Sequence, residues 1–482
     1  MVYMEEDLLT KFLKLMSSEI TDSDLELFKL GRSLGLDLVS FAELRASQQD
    51  FFVDNIRNKA LKKMEINKDN FLASDDFFYS GSIDFMVSDE PEGKRFFLLE
   101  TNGGSHRGLS IITRKQQTLL YDGYIEAIHQ AIKKKVRKDD KIFVLVGVPV
   151  NDALIHEKVI MIDHFRKTLK SEGYMVKIFN RENFNIDFHA KIIFLIADYR
   201  QLSTSLSFSE GVIKYKGEII SVLIGDGITR RLNDKNFHEQ IRKDIRLIKT
   251  IIVNPIFKIT DDKSLTYLTS FFSKEILKKY NLRYLLFTRA FNEKDLIDKL
   301  SYLLKNYNKS FIIKPSGGSG GAGVIPVSKD EQPTNLKKII ETSKNEFFNK
   351  FMKNRDPYPY TIQEKADFSL IDWCGGKHTF DLRIYLAQSK GKVIPIGGLG
   401  RISRGKFTVG LDKEEFVVNL SGYNGQIEVK RGVGFSKETS KMLNLSEEDF
   451  VNMFCIGCVI FANIVKNYKK IINFSNWDQV IG

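Results

Sequence analysis

Between residues 80 and 102 the chain alternates between apolar and polar positions. Ser80-Gly-Ser-Ile-Asp-Phe-Met-Val87 reads as a strand, residues 88–94 with Pro91 and Gly93 as a polar turn, and Arg95-Phe-Phe-Leu-Leu-Glu-Thr-Asn102 as a second strand, broken by Gly103-Gly104. Two such runs joined by a turn predict a β-hairpin. Upstream, Leu8, Leu9, Phe12, Leu13 and Leu15 fit a helical period, and Ser23 suits the cap of a helix opening at Asp24; residues 4–66 are expected to be helical. Residues 110–137 predict a further helix with a basic end. From 141 to 255 strands (141–150, 174–179, 191–197, 213–215, 219–224) alternate with helices (159–172, 237–250), the pattern of an open α/β domain with a parallel sheet. Helices are expected over 261–276, 292–306, 334–356, 437–443 and 447–467, with strands at 360–365 and 375–386, followed by the apolar runs 392–396 and 416–420. In Phe380-Asp-Leu-Arg-Ile-Tyr-Leu386, period two puts Asp381, Arg383 and Tyr385 on one face and the four apolar residues on the other. This is either the wall of a site or a solvent-facing edge.

One stretch breaks the pattern. Phe311-Ile-Ile-Lys-Pro-Ser-Gly-Gly-Ser-Gly-Gly-Ala-Gly-Val-Ile-Pro-Val327 is apolar at both ends, with five glycines inside. It reads as strand, glycine-rich loop, strand. Such a loop can wrap its N–H groups around an anion because no Cβ blocks the approach, and Lys314 adds a point charge against phosphate. The lysine precedes the glycines and a strand follows, so this is not the P-loop signature. The bland alternative is a hairpin tip. No GxGxxG follows the first strand of the α/β region, so a dinucleotide fingerprint is absent.

Composition changes this picture little. A length of 482 residues suits two to four domains, and 43% hydrophobic with 28% charged residues is ordinary for a globular protein with a sizeable core. The net charge of +12 comes from dispersed lysines without an arginine-rich tail, which favours a solvated surface biased towards anionic ligands such as nucleotides over nucleic acid. Cys374, Cys455 and Cys458 make no disulfide framework, and the CxxC spacing of the latter pair lies in an apolar run, so buried helix cysteines are expected rather than zinc or redox chemistry. The acidic start lacks the features of a signal peptide, and no apolar run of about 18 residues is evident. A cytoplasmic, non-membrane protein is expected.

Three oxygen-bearing side chains stand out on the hairpin. Glu100 and Asn102 are two apart and share a face, with Asp84 on the opposite strand, which suits a hard cation such as Mg²⁺. The alternative is that Glu and Asn simply end a strand at a turn.

Taken together, these residues resemble the ATP-grasp superfamily in a circularly permuted order. Lys314 and the loop through Gly317, Gly318, Gly320 and Gly321 look like that family's second ATP lysine and phosphate-covering loop. Asp262-Lys263 looks like its early Asp-Lys, with the lysine as first nucleotide contact. Gln363-Glu364-Lys365 looks like the hinge that holds adenine and ribose. Phe380-Asp381-Leu-Arg383-Ile-Tyr385, Gly400-Arg401 and Val418-Asn419-Leu-Ser421 are similar to a run in tubulin tyrosine ligases, where the arginines serve phosphate and substrate carboxylate; Thr379 stands where those enzymes usually carry lysine. The metal strands, Asp84 and Glu100-Thr-Asn102, come at the front of the chain, as in eukaryotic glutathione synthetases and glutathionylspermidine synthetases, and Asn254-Pro255 resembles the opening of their grasp domain. The resemblance implies a permuted ATP-grasp domain plus an open parallel α/β domain. The divisions are residues 1–138 (helical region and metal strands), 139–255 (α/β domain) and 256–482 (nucleotide-binding subdomains). It implies ATP and Mg²⁺, with Asp84, Glu100 and Asn102 as metal ligands. Lys263, Lys314, the glycines, Gln363, Glu364, Asp381 and Asn419 would bind nucleotide; Arg383, Arg401 and Lys314 would be catalytic. It also implies a carboxylate–amine ligase acting through an acyl-phosphate on small-molecule or peptide substrates. The alternatives are a kinase for a small-molecule hydroxyl or a basic nucleic-acid-binding protein with a degenerate nucleotide site. His106 and Arg107 are candidates to face the acceptor substrate. The permuted order carries one structural expectation: helix 447–467 lies near strand 83–87.

Overall fold

The protein's structure is a computed structural model that describes residues 42–69, 72, 78–103, 108–134, 141–148, 155–180, 191–198, 202, 204–225, 232, 234–316, 318, 320–351, 356–418, 420 and 429–477. The helical expectation for residues 4–41 lies outside these. In chain order, β1 (Ser80–Glu90) and β2 (Gly93–Asn102) form the hairpin, and β3 (Ile142–Val148), β4 (Val176–Asn180) and β5 (Ile192–Asp198) alternate with helices. The strands β6 (Leu206–Ser209), β7 (Val212–Tyr215) and β8 (Glu218–Ile219) make a small antiparallel sheet, followed by β9 (Val222–Ile224) and β10 (Ile251–Val253). Then come β11 (Phe287–Ala290), β12 (Phe311–Pro315), β13 (Ile325–Val327), β14 (Tyr360–Glu364), β15 (Leu370–Trp373), β16 (Gly376–Ser389), β17 (Lys392–Ile402) and β18 (Gly432–Gly434). The fold is mixed α/β. The sheet β10-β9-β3-β5-β4 is parallel throughout, whereas β11-β14-β12-β13 and the central sheet β18-β17-β16-β1-β2, with β15 on β16, are antiparallel.

The central sheet joins chain segments far apart in sequence: Ile83 pairs with Ile384 and Asp84 with Arg383. Its apolar face, with Ile83, Phe85, Phe380, Leu382, Ile384 and Leu386, packs into one core with helices Ala42–Asn67 and Glu447–Ile472. Glycines let the long helix approach. A Cβ on Gly457 would lie 3.1 Å from Ile83, and one on Gly81 would strike the Phe461 ring at 2.6 Å. Helix Glu447–Ile472 therefore lies against β1, as expected of 447–467. A capping box, Ser446 with Asp449, starts it, and it continues past the expected end through a kink at Asn467. It is long and apolar enough to cross a membrane by composition, with a mean hydropathy of 1.6, which the sequence reading did not anticipate; yet 94% of that window is buried in the molecule, so it is a core helix. Cys455 and Cys458 are buried on it, and burial pushes both thiols up, Cys455 to about 12. Cys374 is exposed.

Several boundaries differ from the periodicity: the helix expected over 261–276 divides into Lys263–Phe271 and Lys274–Lys278, and Phe416 ends the short helix Lys413–Phe416 with no strand over 416–418. The run 219–224 is divided: Ile220 N–H still bonds Ile213 of the small sheet, while Ser221 N–H bonds Phe143 and leads into the parallel sheet. Helix 237–250 ends at Asp244, whose carboxylate accepts Arg246 N–H at 3.1 Å and caps a 3₁₀ turn instead.

Candidate active site

Strand register builds the site. On β16 the alternation places Asp381, Arg383 and Tyr385 on the face opposite the helical core. Across the ladder Arg383 faces Asp84, Asp84 faces Glu100, and Asp381 faces Arg401. Ser82 lies between Tyr385 and Asn102, so Asp84, Glu100 and Asn102 do share one face. Arg383 grips Asp84 with Nε (2.7 Å) and Nη2 (2.6 Å), a bidentate fork. Arg401 donates Nη2 to Asp84 at 2.8 Å and Nε to Asp381 at 2.7 Å. All four are buried. Burial alone would raise the Asp84 carboxyl, but Arg383 and Arg401 together hold it well below the usual carboxylate range. Burial, with the Asp84 charge nearby, pushes Asp381 up against the opposing pull of Arg401.

A second cluster converges on Glu100. Asp262 caps helix Lys263–Phe271, accepting Leu265 N–H at 3.2 Å. Lys263, the first helical residue, brings Nζ to 3.2 Å from Glu100 and 3.5 Å from the Gly318 carbonyl. Arg383 Nη2 stands 3.9 Å from the other Glu100 oxygen. Tyr267, four residues and thus one turn beyond Lys263, donates its hydroxyl to the Leu99 carbonyl at 2.6 Å and accepts from Lys314 Nζ at 2.8 Å. Lys314 also donates to Gln363 Oε1 at 2.6 Å. Both acceptors are neutral. Burial lowers the Lys314 ammonium, Lys263 lowers it further, and Glu100 opposes, leaving it at about 7. Burial and Glu100 push the Tyr267 hydroxyl up, so it stays protonated.

The glycine loop lies beside this cluster. Gly320, Gly321 and Gly323 adopt positive φ of 62°, 72° and 72°. A Cβ on Gly323 would meet the Ser343 carbonyl at 2.8 Å, so the turn requires glycine there. Glu346 accepts Gly323 N–H at 3.2 Å and pairs with Lys413 at 2.6 Å, tying the loop to helix Lys413–Phe416. Gln363 and Glu364 point to opposite faces of β14. Gln363 meets Lys314, whereas Glu364 accepts Leu286 N–H at 3.1 Å and pairs with Lys309 at the strand end. Asn254 accepts Tyr79 N–H at 2.9 Å and donates to the Ser80 and Gly103 carbonyls, pinning both ends of the hairpin. Gly317, Asn419, His106 and Arg107 lie outside the described residues.

Sequence reading overlooked Tyr267 and Arg289, although the i, i+4 spacing from Lys263 could have flagged Tyr267; Arg289 donates to Asp262 at 2.6 Å. The cluster fits a polyphosphate. A buried ammonium with no carboxylate partner among the described residues, a second lysine beside it and a turn that only glycine can make form a cationic cradle. For a hard cation the donor types of Glu100 and Asn102 fit, but Asp84 has both oxygens committed to guanidinium groups. Among the described residues no group of three or more His, Cys, Asp or Glu side chains is placed to hold a metal ion.

No protein-family model matches the chain, and no curated protein matches it. Among solved structures it is similar to a protein assigned as a gamma-glutamylcysteine synthetase from Methylobacillus flagellatus (9% identity, 88% of this chain and 96% of that one, TM-score 0.45). It is also similar to a glutathione synthetase-like effector from Globodera pallida (13% identity, 74% and 80%, TM-score 0.37) and to D-alanyl-alanine synthetase A from Vibrio cholerae (7% identity, 65% and 99%, TM-score 0.27). Likenesses of this size leave the reaction to be argued from the site's own residues.

Proposed function

We propose that the protein is an ATP-dependent carboxylate–amine ligase of the permuted ATP-grasp kind, working in a reducing, cytoplasmic setting. The observation that carries this reading is the convergence of Lys314, Lys263 and Glu100 beside the glycine loop. Pairing of the front hairpin with β16 supports the permuted order, and the parallel sheet supports residues 139–255 as the companion α/β domain. Lys263, Lys314 and the loop amides hold the phosphates of ATP and stabilise the spreading charge of phosphoryl transfer. Glu100 and Asn102 would hold Mg²⁺, which when bound neutralises phosphate charge. A substrate carboxylate oxygen attacks the γ-phosphorus, ADP leaves, and the acyl-phosphate forms. An amine then attacks the acyl carbon and phosphate departs, giving an amide. Arg383, nearest Glu100, orients the reacting carboxylate or phosphate. Arg401, bound to Asp84 and Asp381, acts through them as a positioning residue. The acid and amine are small molecules or peptides.

Hydroxylamine trapping tests this reading. Incubated with MgATP and a panel of amino acids and short peptides, the protein should turn at least one acid into its hydroxamate with equal release of ADP. ADP release with a phosphorylated alcohol and no hydroxamate would make it a kinase instead.

The lowered Lys314 adds a pH signature. A polyanion beside it favours the charged amine, so above pH about 7 binding must take up a proton. Nucleotide affinity should fall as pH rises from 7 to 9. Calorimetry of a non-hydrolysable ATP analogue at pH 8, in buffers of different ionisation enthalpy, should show uptake of roughly one proton, and almost none at pH 6.

A further inference from the structure

Near its end the chain passes back beneath β11. Trp477 is buried, its carbonyl accepts the Thr288 hydroxyl at 3.1 Å, and its indole N–H bonds the Phe474 carbonyl at 3.0 Å. The ring meets Phe474 edge-on (centroids 4.8 Å apart) and lies 6.4 Å from Phe287. The Arg289 guanidinium sits 5.3 Å from the Trp477 ring centroid and 5.5 Å from that of Phe291, in the range of cation–π contact with both. From that seat its Nη2 reaches Asp262 at 2.6 Å, and Asp262 caps the helix whose first residue is Lys263. Each link is a direct contact: ring to guanidinium, guanidinium to cap, and cap to the helix end carrying the lysine that meets Glu100.

We propose that Trp477 is a positioning residue for Lys263, acting through Arg289 and Asp262. The chemistry has two parts. A guanidinium flanked by rings is fixed in direction, and Asp262 is fixed with it. Arg289 also occupies Asp262 Oδ2, so this carboxylate, adjacent to Lys263 in the chain, does not compete with Glu100 or phosphate for the ammonium. With the ring gone, Arg289 loses its seat, the cap loosens, and Lys263 exchanges Glu100 for Asp262. The segment around Trp477 is thereby coupled to the nucleotide site. That last step rests on the ligase reading above; the mechanical coupling does not.

The test compares wild type with Trp477→Leu and with Trp477→Phe, which keeps a ring. Three measurements are needed: ATP affinity by calorimetry, thermal stability, and hydrogen exchange of peptides covering residues 262–268. Expected for Trp477→Leu are a lowered melting temperature, as loss of a buried ring requires, faster exchange centred on 262–268 at temperatures well below melting, and ATP affinity weakened about tenfold, with Trp477→Phe restoring most of the affinity. Local exchange rising in a protein whose wild type binds no ATP would support the coupling and sink the nucleotide reading. Unchanged exchange and affinity in Trp477→Leu would overturn the proposal. So would exchange rising equally across the whole chain with no excess at 262–268, which marks a merely structural role.

Discussion

Replacing Asp84 by alanine is expected to destabilise the protein by about 3–5 kcal/mol, the usual result of removing one partner from a buried ion pair. Asp84 is wholly enclosed and accepts from both Arg383 and Arg401. Without it two guanidinium groups stay buried with their shared carboxylate gone, while Asp381 still holds Arg401 and Glu100 stands 3.9 Å from Arg383. Asp84→Asn keeps the shape and an oxygen acceptor and should lose less. Adding Arg383→Met to Asp84→Ala should return part of the loss, because removing both members of a pair leaves no orphaned charge. Urea unfolding of the four proteins measures this. Equal midpoints for Asp84→Ala and wild type would show that the guanidinium groups find water instead.

Lys314→Met should behave in the opposite way. The methionine nearly fills the lysine's volume, and the ammonium it removes is held at about 7 by its surroundings, so stability should stay close to wild type or rise slightly. Tyr267 and Gln363 each lose the hydrogen bond they accept from Lys314. The loss falls on nucleotide chemistry. Taking away a preorganised charge aimed at phosphate costs on the order of 10²–10³ in turnover, with weaker ATP binding besides. Steady-state ADP release and ATP calorimetry read the two effects. A Lys314→Met protein that turns over ATP at the wild-type rate would remove this residue, and with it the assigned nucleotide cradle, from the mechanism. The proton uptake at pH 8 should vanish in the same variant.

What could be read from sequence follows from what is local. The hairpin of β1 and β2, the parallel sheet and the two faces of β16 are all visible in period two and in turn residues, because alternation is fixed within a few residues. The meeting of Asp84 with Arg383 is not, since the two lie 299 positions apart and either could have faced solvent. Only the family resemblance, with its permuted order, brought those segments to one sheet. Charge alone also does not show partners. Arg383 and Arg401 looked like ligand clamps, yet much of their hydrogen bonding goes to Asp84 and Asp381, a choice made by burial and not by spacing. Arg289 gave no signal at all; its function is set by rings at Phe291 and Trp477, one of them 188 residues further along the chain.

The composition of the central sheet also sets a timetable for the newborn chain. β2 is complete at Asn102, but β16, which pairs with β1, does not begin until Gly376. At ribosomal rates of about 5–20 residues per second, the hairpin waits roughly 15–55 s for its neighbour. Throughout that interval β1 shows an open edge and Asp84 faces water, and helix Glu447–Ile472, which covers the apolar side, arrives later still. The face that holds Asp84 cannot assemble until β16 and β17 have been made, and the stage most open to aggregation or chaperone capture is the one that precedes β16.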